Sequence, residues 1–315
     1  MPLTLKIPTN NDETYPIDCL TPVRVENVYM KYWITKSGTF CKTPKDLGIR
    51  LADALMNEIK IIKYLKSKPV SPVINPPLNY YFLDGKIVVE QKAIDGIDFF
   101  DYVANNRHGV KSSVALLKCI KSAMIYFNDL KIVFNDFALE NFMVTDSEQL
   151  KLVLVDFGCS QIFNENKDYE WKYKNVVTIR NHQISPDILL NYVDSVSMSR
   201  DNIFDLLQKK DLFSIGTILF AAFFGTELWS SVDYQTPFDK LSYITILNES
   251  INERLNNFKD SKVTKLILKL ILKLLPCSIS NMISLDEFVS CVDEIEIANE
   301  ESNHLINPNK KRRII

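Results

Sequence analysis

The chain has 315 residues, which at roughly 150 residues per domain allows about two domains or one large two-lobed unit. Apolar residues make up 46% and charged residues 24%, the balance of a globular protein, and this excludes wholesale disorder. With 37 basic against 39 acidic residues and a net charge of −2, no global field favours nucleic acid or an anionic membrane, and neither is expected as a partner. The longest apolar candidate, Leu212 to Gly225, falls short of the roughly 18 residues that a bilayer span needs. It is also interrupted by Ser214, Gly216 and Thr217. The opening MPLTLKIPTNND lacks the basic-then-apolar form of a secretory signal. Six cysteines (Cys19, Cys41, Cys119, Cys159, Cys277 and Cys291) are scattered without a CxxC pair, which argues against zinc and against a disulfide framework. The expectation is an intracellular protein, cytoplasmic or nuclear, without a membrane span.

From the N-terminus, residues 1–22 read as an extension. VRVENVYMKYWITK (23–36) is rich in valine, tyrosine and tryptophan, which suits strands. Ser37-Gly38 is a turn signal, and GTFCK continues as a further strand. Residues 47–66 have helical periodicity, with Leu51, Leu55, Ile59, Ile62 and Leu65 on one face. SKPVSPVINPP (67–77) holds four prolines and must be a loop. YYFLDGKIVVE then reads as a hairpin turning at Asp84-Gly85.

Beyond about Asp95 the pattern turns helical. Ser112 or Ser113 can cap a helix whose apolar stripe includes Leu117, Ile120, Met124 and Phe127. Short apolar runs follow at 132–134, 142–144 and 152–155, and then a polar stretch from Asn164 to Asn175. Asp211 to Phe224 is apolar on nearly every side, as in a helix buried all round. KLILKLILKLL (265–275) carries lysines only on a narrow stripe, and the tail from Ile297 is polar and ends in Lys310-Lys311-Arg312-Arg313. That basic run reads equally as an import signal or as a solvated end. The fold expected is α+β: a small antiparallel-sheet lobe with one helix (23–91), a larger mainly helical lobe (92–296) and a basic tail (297–315).

Two short segments carry the chemistry. FNDFALEN (134–141) and VDFG (155–158) each place a carboxylate directly after an apolar strand, with Asp136 five residues before Asn141 and Asp156 followed by Phe157-Gly158. Aspartate and asparagine often cap turns, and singly either segment reads that way. A third feature is independent of both: Glu58 falls near the middle of the apolar stripe of 47–66, where a carboxylate is costly unless paired. Lys42, at the end of GTFCK, lies sixteen residues earlier.

Together these segments resemble the catalytic core of the eukaryotic protein kinase superfamily, with its H-R-D-L-x-x-x-N loop and D-F-G motif. KIVVEQKA (86–93) resembles the strand and hinge between the lobes, with Val89 where the residue guarding the nucleotide pocket sits and Glu90 beside it. SPDILL (185–190) resembles the A-P-E motif, and DLFSIGTILFAAFFG (211–225) the buried helix whose leading aspartate braces the catalytic loop. Residues 267–291 resemble the last helical region. The resemblance implies ATP and Mg²⁺ as cofactors and a protein substrate or regulatory partner. It implies Lys42 on the α- and β-phosphates, Glu58 orienting Lys42, Asn141 and Asp156 as metal ligands, and Asp136 as the base. Lys31, in VYMK, is the alternative to Lys42 but lies further upstream.

The departures from the family pattern are specific. PVRVEN (22–27), where a glycine-rich phosphate loop belongs, contains no glycine, and the whole chain has only eight. Phe134-Asn135 stands in place of His-Arg, which removes the arginine that would bind a phosphorylated activation segment. Ala138 and Glu140 occupy positions where a phosphate-neutralising lysine or arginine is expected, and Asp187 replaces the A-P-E glutamate. The arginine which that glutamate binds is missing from SNMIS (280–284). Two functions follow: a divergent protein kinase transferring the ATP γ-phosphoryl group to a serine or threonine hydroxyl, or a pseudokinase acting as a scaffold or allosteric partner.

Overall fold

The structure is a computed structural model that describes residues 4–6, 14–16, 20–22, 30–45, 49–83, 85–163, 200–228, 237–257 and 261–306. Most of PVRVEN, the polar stretch 164–175, SPDILL and the terminal KKRR therefore lie outside the described residues.

Two short strands, β1 (Thr4–Lys6) and β2 (Thr14–Pro16), pair with each other. The main sheet has five antiparallel strands in the order β3-β4-β5-β7-β6. They are β3 (Leu20–Pro22), β4 (Met30–Thr35), β5 (Thr39–Pro44), β6 (Asn79–Leu83) and β7 (Lys86–Lys92). Strand β3 pairs with β4, so the sheet reaches back into the segment read as an extension. The β6–β7 hairpin closes with Leu83 opposite Lys86, and Gly85 supplies the positive φ of +75° that a two-residue turn demands.

Helix α1 (Ile49–Leu65) packs on one face of the sheet. Its buried Leu55 and Ile62 meet Val89 of β7, while Trp33, Cys41, Tyr81 and Val88 form a separate cluster. Alternation along the strands dictates this separation, because neighbouring residues point to opposite faces.

The second lobe is helical around a small group of strands. Strand β8 (Ile97–Asp98) and helix α2 (Phe99–Ala104) lead into α3 (Val110–Asp129). Then come β9 (Ile132–Val133), β10 (Phe142–Asp146), β11 (Lys151–Leu154) and β12 (Gln161–Ile162). Among the described residues four further helices follow: α4 (Arg200–Phe224), α5 (Pro237–Asn257), α6 (Lys262–Leu274) and α7 (Leu285–Ile306).

One helix cap differs from the sequence reading. Helix α3 begins at Val110 with Gly109 as its N-cap, and Ser112 and Ser113 are buried inside the first turn. Their hydroxyls donate backwards, to the carbonyls of Arg107 and Gly109, instead of accepting from amides ahead. Helix α4 also starts earlier than its apolar run, and α7 continues ten residues past 296. On α6 the apolar side is buried and Lys269 and Lys273 face out, so it is a packed lobe helix. Gly216 of α4 permits that packing, since a Cβ there would fall 2.8 Å from the Leu274 Cβ.

A strap joins the two lobes. In the proline loop after α1, the Val73 carbonyl accepts from Leu154 N and Asn75 N donates to the Leu154 carbonyl, both at 2.8 Å. Ile74 makes a parallel bridge to Leu154. Among the described residues no helix is long and apolar enough to cross a membrane.

Candidate active site

Lys42 lies on β5 directly opposite Val89. It is buried, and its ammonium sits 2.5 Å from Glu58 Oε1 and 3.1 Å from Asp156 Oδ1. The helical periodicity that put Glu58 on the apolar face of α1 therefore leads it to its cation, with 0% of its surface exposed. Lys31 is exposed and does not enter this cluster.

The group carries one cation and two carboxylates. Burial alone would depress Lys42, yet Asp156 and Glu58 outweigh it and hold the ammonium above its ordinary value. Burial lifts the Glu58 carboxyl to about 7 against the pull of Lys42. For Asp156 burial acts upward too, but Lys42 and the Gly158 amide win and hold the carboxyl below its ordinary value. The excess negative charge suits a cation.

Asp156 is placed by its backbone as well as its partners. It takes a left-handed φ of +62°, a conformation aspartate tolerates better than most residues. Its Oδ1 accepts from Gly158 N at 3.1 Å. One residue before it, Val155 N donates to the Asn141 carbonyl at 2.8 Å, which ties the two motifs together. The Asn141 side-chain amide then donates to the Asp136 carbonyl at 2.7 Å and to Asp136 Oδ2 at 2.9 Å. The five-residue spacing in FNDFALEN thus closes a loop on itself. A single connected set runs Glu58, Lys42, Asp156, Asn141, Asp136, with Val89 beside Lys42.

Glu90 is the predicted residue that does not join this set. It pairs with Cys41, on the opposite face of the sheet from Lys42. Its carboxylate accepts from Asn79 Nδ2 at 3.2 Å and faces Cys41 Sγ, and its carbonyl accepts from Leu78 N. Strand alternation forbids adjacent Val89 and Glu90 from facing the same pocket.

Beneath the loop the support is aromatic and ionic. Phe134 stacks on Phe127 at 5.7 Å between ring centroids and meets Phe157 edge-on at 5.5 Å. From α4, Asp211 accepts from the amides of Phe134 and Asn135, each at 3.0 Å. This is the bracing aspartate that the sequence indicated.

Asn57 and Lys210 contribute without having been marked by the sequence, and Asn135, marked there only as standing in place of an arginine, contributes contacts of its own. Asn57 of α1 donates to the Gly158 carbonyl at 3.1 Å, a second link from α1 to the D-F-G segment. Asn135 reaches the Cys159 carbonyl, and Lys210 is buried beneath the loop against Asn135. Asn57 stands next to Glu58 in the sequence, whereas Lys210 lies in the polar run Gln208-Lys209-Lys210-Asp211 ahead of the apolar stretch, where nothing separates it from its neighbours. A groove of about 830 Å³ bordered by α3, the β10–β11 turn and α7 shares no residue with the active-site set, so it is separate from the cleft.

The donor set can be tested for a magnesium ion. Among the described residues no group of three or more His, Cys, Asp or Glu could hold a metal unaided. Magnesium does not need one, since it keeps several waters and takes one or two protein oxygens plus phosphate oxygens. Asn141 spends its amide hydrogens on Asp136, which leaves its carbonyl oxygen as ligand, and Asp156 retains Oδ2 beyond the oxygen held by Lys42 and Gly158. Two hard oxygens in a net negative group fit the ion.

A sequence model of the protein kinase domain matches residues 35–290. The chain belongs to the protein kinase family. Among curated proteins it is similar to a Dictyostelium discoideum protein described as a probable myosin light chain kinase, with 22% identity over 208 residues. That match covers 64% of this chain and 61% of the relative, so the chain spans less than two thirds of the length of that relative. Among solved structures it is similar to a crystal structure of the Rad53 kinase domain and SCD2, at 13% identity and a TM-score of 0.59, covering 90% of this chain and 98% of that one. At such identity the likeness establishes the fold: an antiparallel-sheet lobe and a helical lobe.

Proposed function

We propose that this kinase transfers the γ-phosphoryl group of ATP to a serine or threonine hydroxyl of a protein, with Mg²⁺. The observation that carries the reading is the buried Lys42–Glu58 pair at 2.5 Å with Asp156 joined to it. A lysine and a glutamate from separate elements are costly to bury together, and the arrangement is suited to holding phosphates.

In this reading Lys42 binds the α- and β-phosphate oxygens while Glu58 keeps its ammonium aimed. Asp156 and Asn141 hold the metal. When bound, Mg²⁺ supplies charge neutralisation at the phosphates. Asp136, fixed through Asn141, orients the acceptor hydroxyl and takes its proton. Val89 bounds the nucleotide pocket behind Lys42. Neither cation that would mark the acceptor is present, since Ala138 stands at the serine/threonine-type lysine position and exposed Glu140 at the tyrosine-type arginine position, so the transfer assay includes serine, threonine and tyrosine acceptors.

The test is transfer of labelled phosphate to generic protein substrates and to the chain itself, comparing wild type with Asp136→Asn and Asp156→Asn. Transfer by wild type that both variants lose supports the assignment. Equal silence of all three removes it.

A second reading, a pseudokinase that binds partners without catalysis, is favoured by one sequence observation: PVRVEN has no glycine, and Glu26 opposes phosphate. Thermal shift read beside transfer separates the two, since a nucleotide at a hundred times its Kd stabilises by about 2.7 kcal/mol whether or not it reacts. A shift with ATP and Mg²⁺ but no transfer supports the pseudokinase.

A further inference from the structure

Lys210 is the least expected charge in the molecule. It lies in the middle of α4, one residue before Asp211, with 1% of its surface exposed. Its ammonium donates to the Asn135 carbonyl and to Asn135 Oδ1, both at 3.0 Å. Asp211, Asp136 and Cys159 are the titratable groups facing it, and burial still prevails and holds the ammonium below its ordinary value. Burying an ammonium against neutral oxygens is unfavourable, and a methionine would fill the same volume without that penalty. What the lysine holds must offset the difference.

What it holds is Asn135. This residue has a left-handed φ of +70° and is completely buried. Its side chain is committed at both ends: Oδ1 accepts from Lys210, and Nδ2 donates to the Cys159 carbonyl at 3.0 Å. Asn135 precedes Asp136, and Cys159 lies three residues past Asp156. One helix turn of α4 thus grips the loop that carries Asp136 twice, through Asp211 on the amides and through Lys210 on the carbonyl. Through Asn135 it also grips the chain that follows Asp156. The arginine that the resemblance would place at position 135, as a receiver for a phosphate, is replaced by a residue already fully engaged.

We propose that Lys210 is a positioning residue which, through Asn135, clamps the catalytic loop to the segment after Asp156 and so holds Asp136 and Asp156 in register without a phosphorylated activation segment. This rests on the reading of Asp136 as the base. The ammonium itself is too deeply buried and too fully bonded to reach a phosphate, so its action is on geometry alone.

The test uses the full chain with Lys210→Met, Asn135→Leu and the double variant. Backbone hydrogen exchange is followed over 134–141 and 157–162, with steady-state rates, melting temperature and phosphatase-treated wild type measured alongside. Lys210→Met should speed exchange in both segments while α3 and α6 keep their protection and the melting temperature holds. Misplacement of about 1 Å at a reacting group costs about a hundredfold, so kcat should fall by about that factor. KM for ATP should stay within about threefold, because the Lys42 cluster is untouched. The double variant should be no worse than either single one, the mark of two residues acting through one contact. Phosphatase treatment should leave the wild-type rate unchanged. Unaltered exchange in both segments of Lys210→Met, or loss of the wild-type rate after phosphatase, overturns the clamp. Should Lys210→Met fail to fold, Asn135→Leu removes the side-chain half of the clamp, the Lys210–Oδ1 bond and the link to the Cys159 carbonyl, and decides it by the same readouts. If wild type transfers no phosphate, the kinase reading fails while the exchange arm still decides the clamp.

Discussion

The chain buries two lysines beside acids, and the two sites are built on opposite principles. Lys42 faces the Glu58 and Asp156 carboxylates and bonds to no backbone carbonyl among the contacts described above. Lys210 bonds to a carbonyl and an amide oxygen of a single neutral residue, while its neighbour Asp211 is spent on two backbone amides. The first site is left with surplus negative charge, and its partners are carboxylates with oxygens to spare. The second is closed upon the main chain and has nothing left to offer. Burial alone therefore does not mark a functional lysine; what matters is whether its partners are side chains that a ligand can share or backbone that it cannot.

That contrast can be broken most severely at Lys42. Lys42→Met should lower phosphoryl transfer by about 10² to 10³, the usual effect of removing one preorganised electrostatic group. Its effect on the fold should depend on pH. Burial already lifts Glu58 to about 7 with Lys42 in place, and without the cation it rises further. Near pH 6 the carboxyl is protonated and the variant should melt close to wild type. Above pH 8 an unpaired buried carboxylate costs about 3–5 kcal/mol, which a melting series across that range would show.

Phe134 stands between the two sites, with its ring against Phe157 and its amide on Asp211. Phe134→Ala should destabilise by about 3–5 kcal/mol in denaturant unfolding. It should loosen both sites together, whereas Lys42→Met leaves the α4 site intact.

A smaller effect sharpens the α4 side. Burial raises the Asp211 carboxyl to about 6, with Lys210 and the amides of Asn135 and Phe134 pulling the other way. Between an unfolded value near 4 and that folded value, the folded chain keeps a proton that the unfolded chain has lost. The contribution of Asp211 is thus full below about pH 4 and is lost as pH rises through 6, a change on the order of 3 kcal/mol. Asp211→Asn should flatten that slope in unfolding curves measured from pH 4 to 7. At the bottom of the scale, Lys273→Ala removes a half-exposed pair with Glu287 at 2.7 Å, and should change stability by less than about 1 kcal/mol. A lysine paired in water is the baseline for both buried ones.

The sequence revealed the first site far better than the second, for physical reasons. Glu58 betrays itself as a carboxylate in an apolar helical stripe, and such a misfit demands a partner that spacing narrows to Lys42. Asp136, Asn141 and Asp156 stand at strand ends in short recognisable segments. Asp211 heads an apolar run. Lys210 follows the half-buried Gln208 and Lys209 in a polar run of α4, so nothing in the sequence separates an inward lysine from an outward one. Glu90, which comes from the resemblance of KIVVEQKA to the hinge, turns its side chain to the face of the sheet opposite Lys42, as strand alternation requires. The start of α3 misled for a related reason: a serine near a helix start can bond forward as a cap or backward to a carbonyl, and only the chain path around Gly109 decides between them. The β3 strand, too short to show alternation, was legible only once its partner β4 was in place.

The strap between Val73–Asn75 and Leu154 has a mechanical consequence for α1. It pins the loop at the C-terminal end of the helix to the strand leading into Asp156, so that end is a fulcrum and the helix a lever. At 1.5 Å per residue, Glu58 lies about 10 Å from Leu65 and Ile49 about 24 Å. A swing that draws Glu58 away from Lys42 by about 2 Å must therefore carry the start of the helix through about 5 Å. Whatever presses on the residues near Ile49 acts on the Lys42–Glu58 pair with more than twofold leverage.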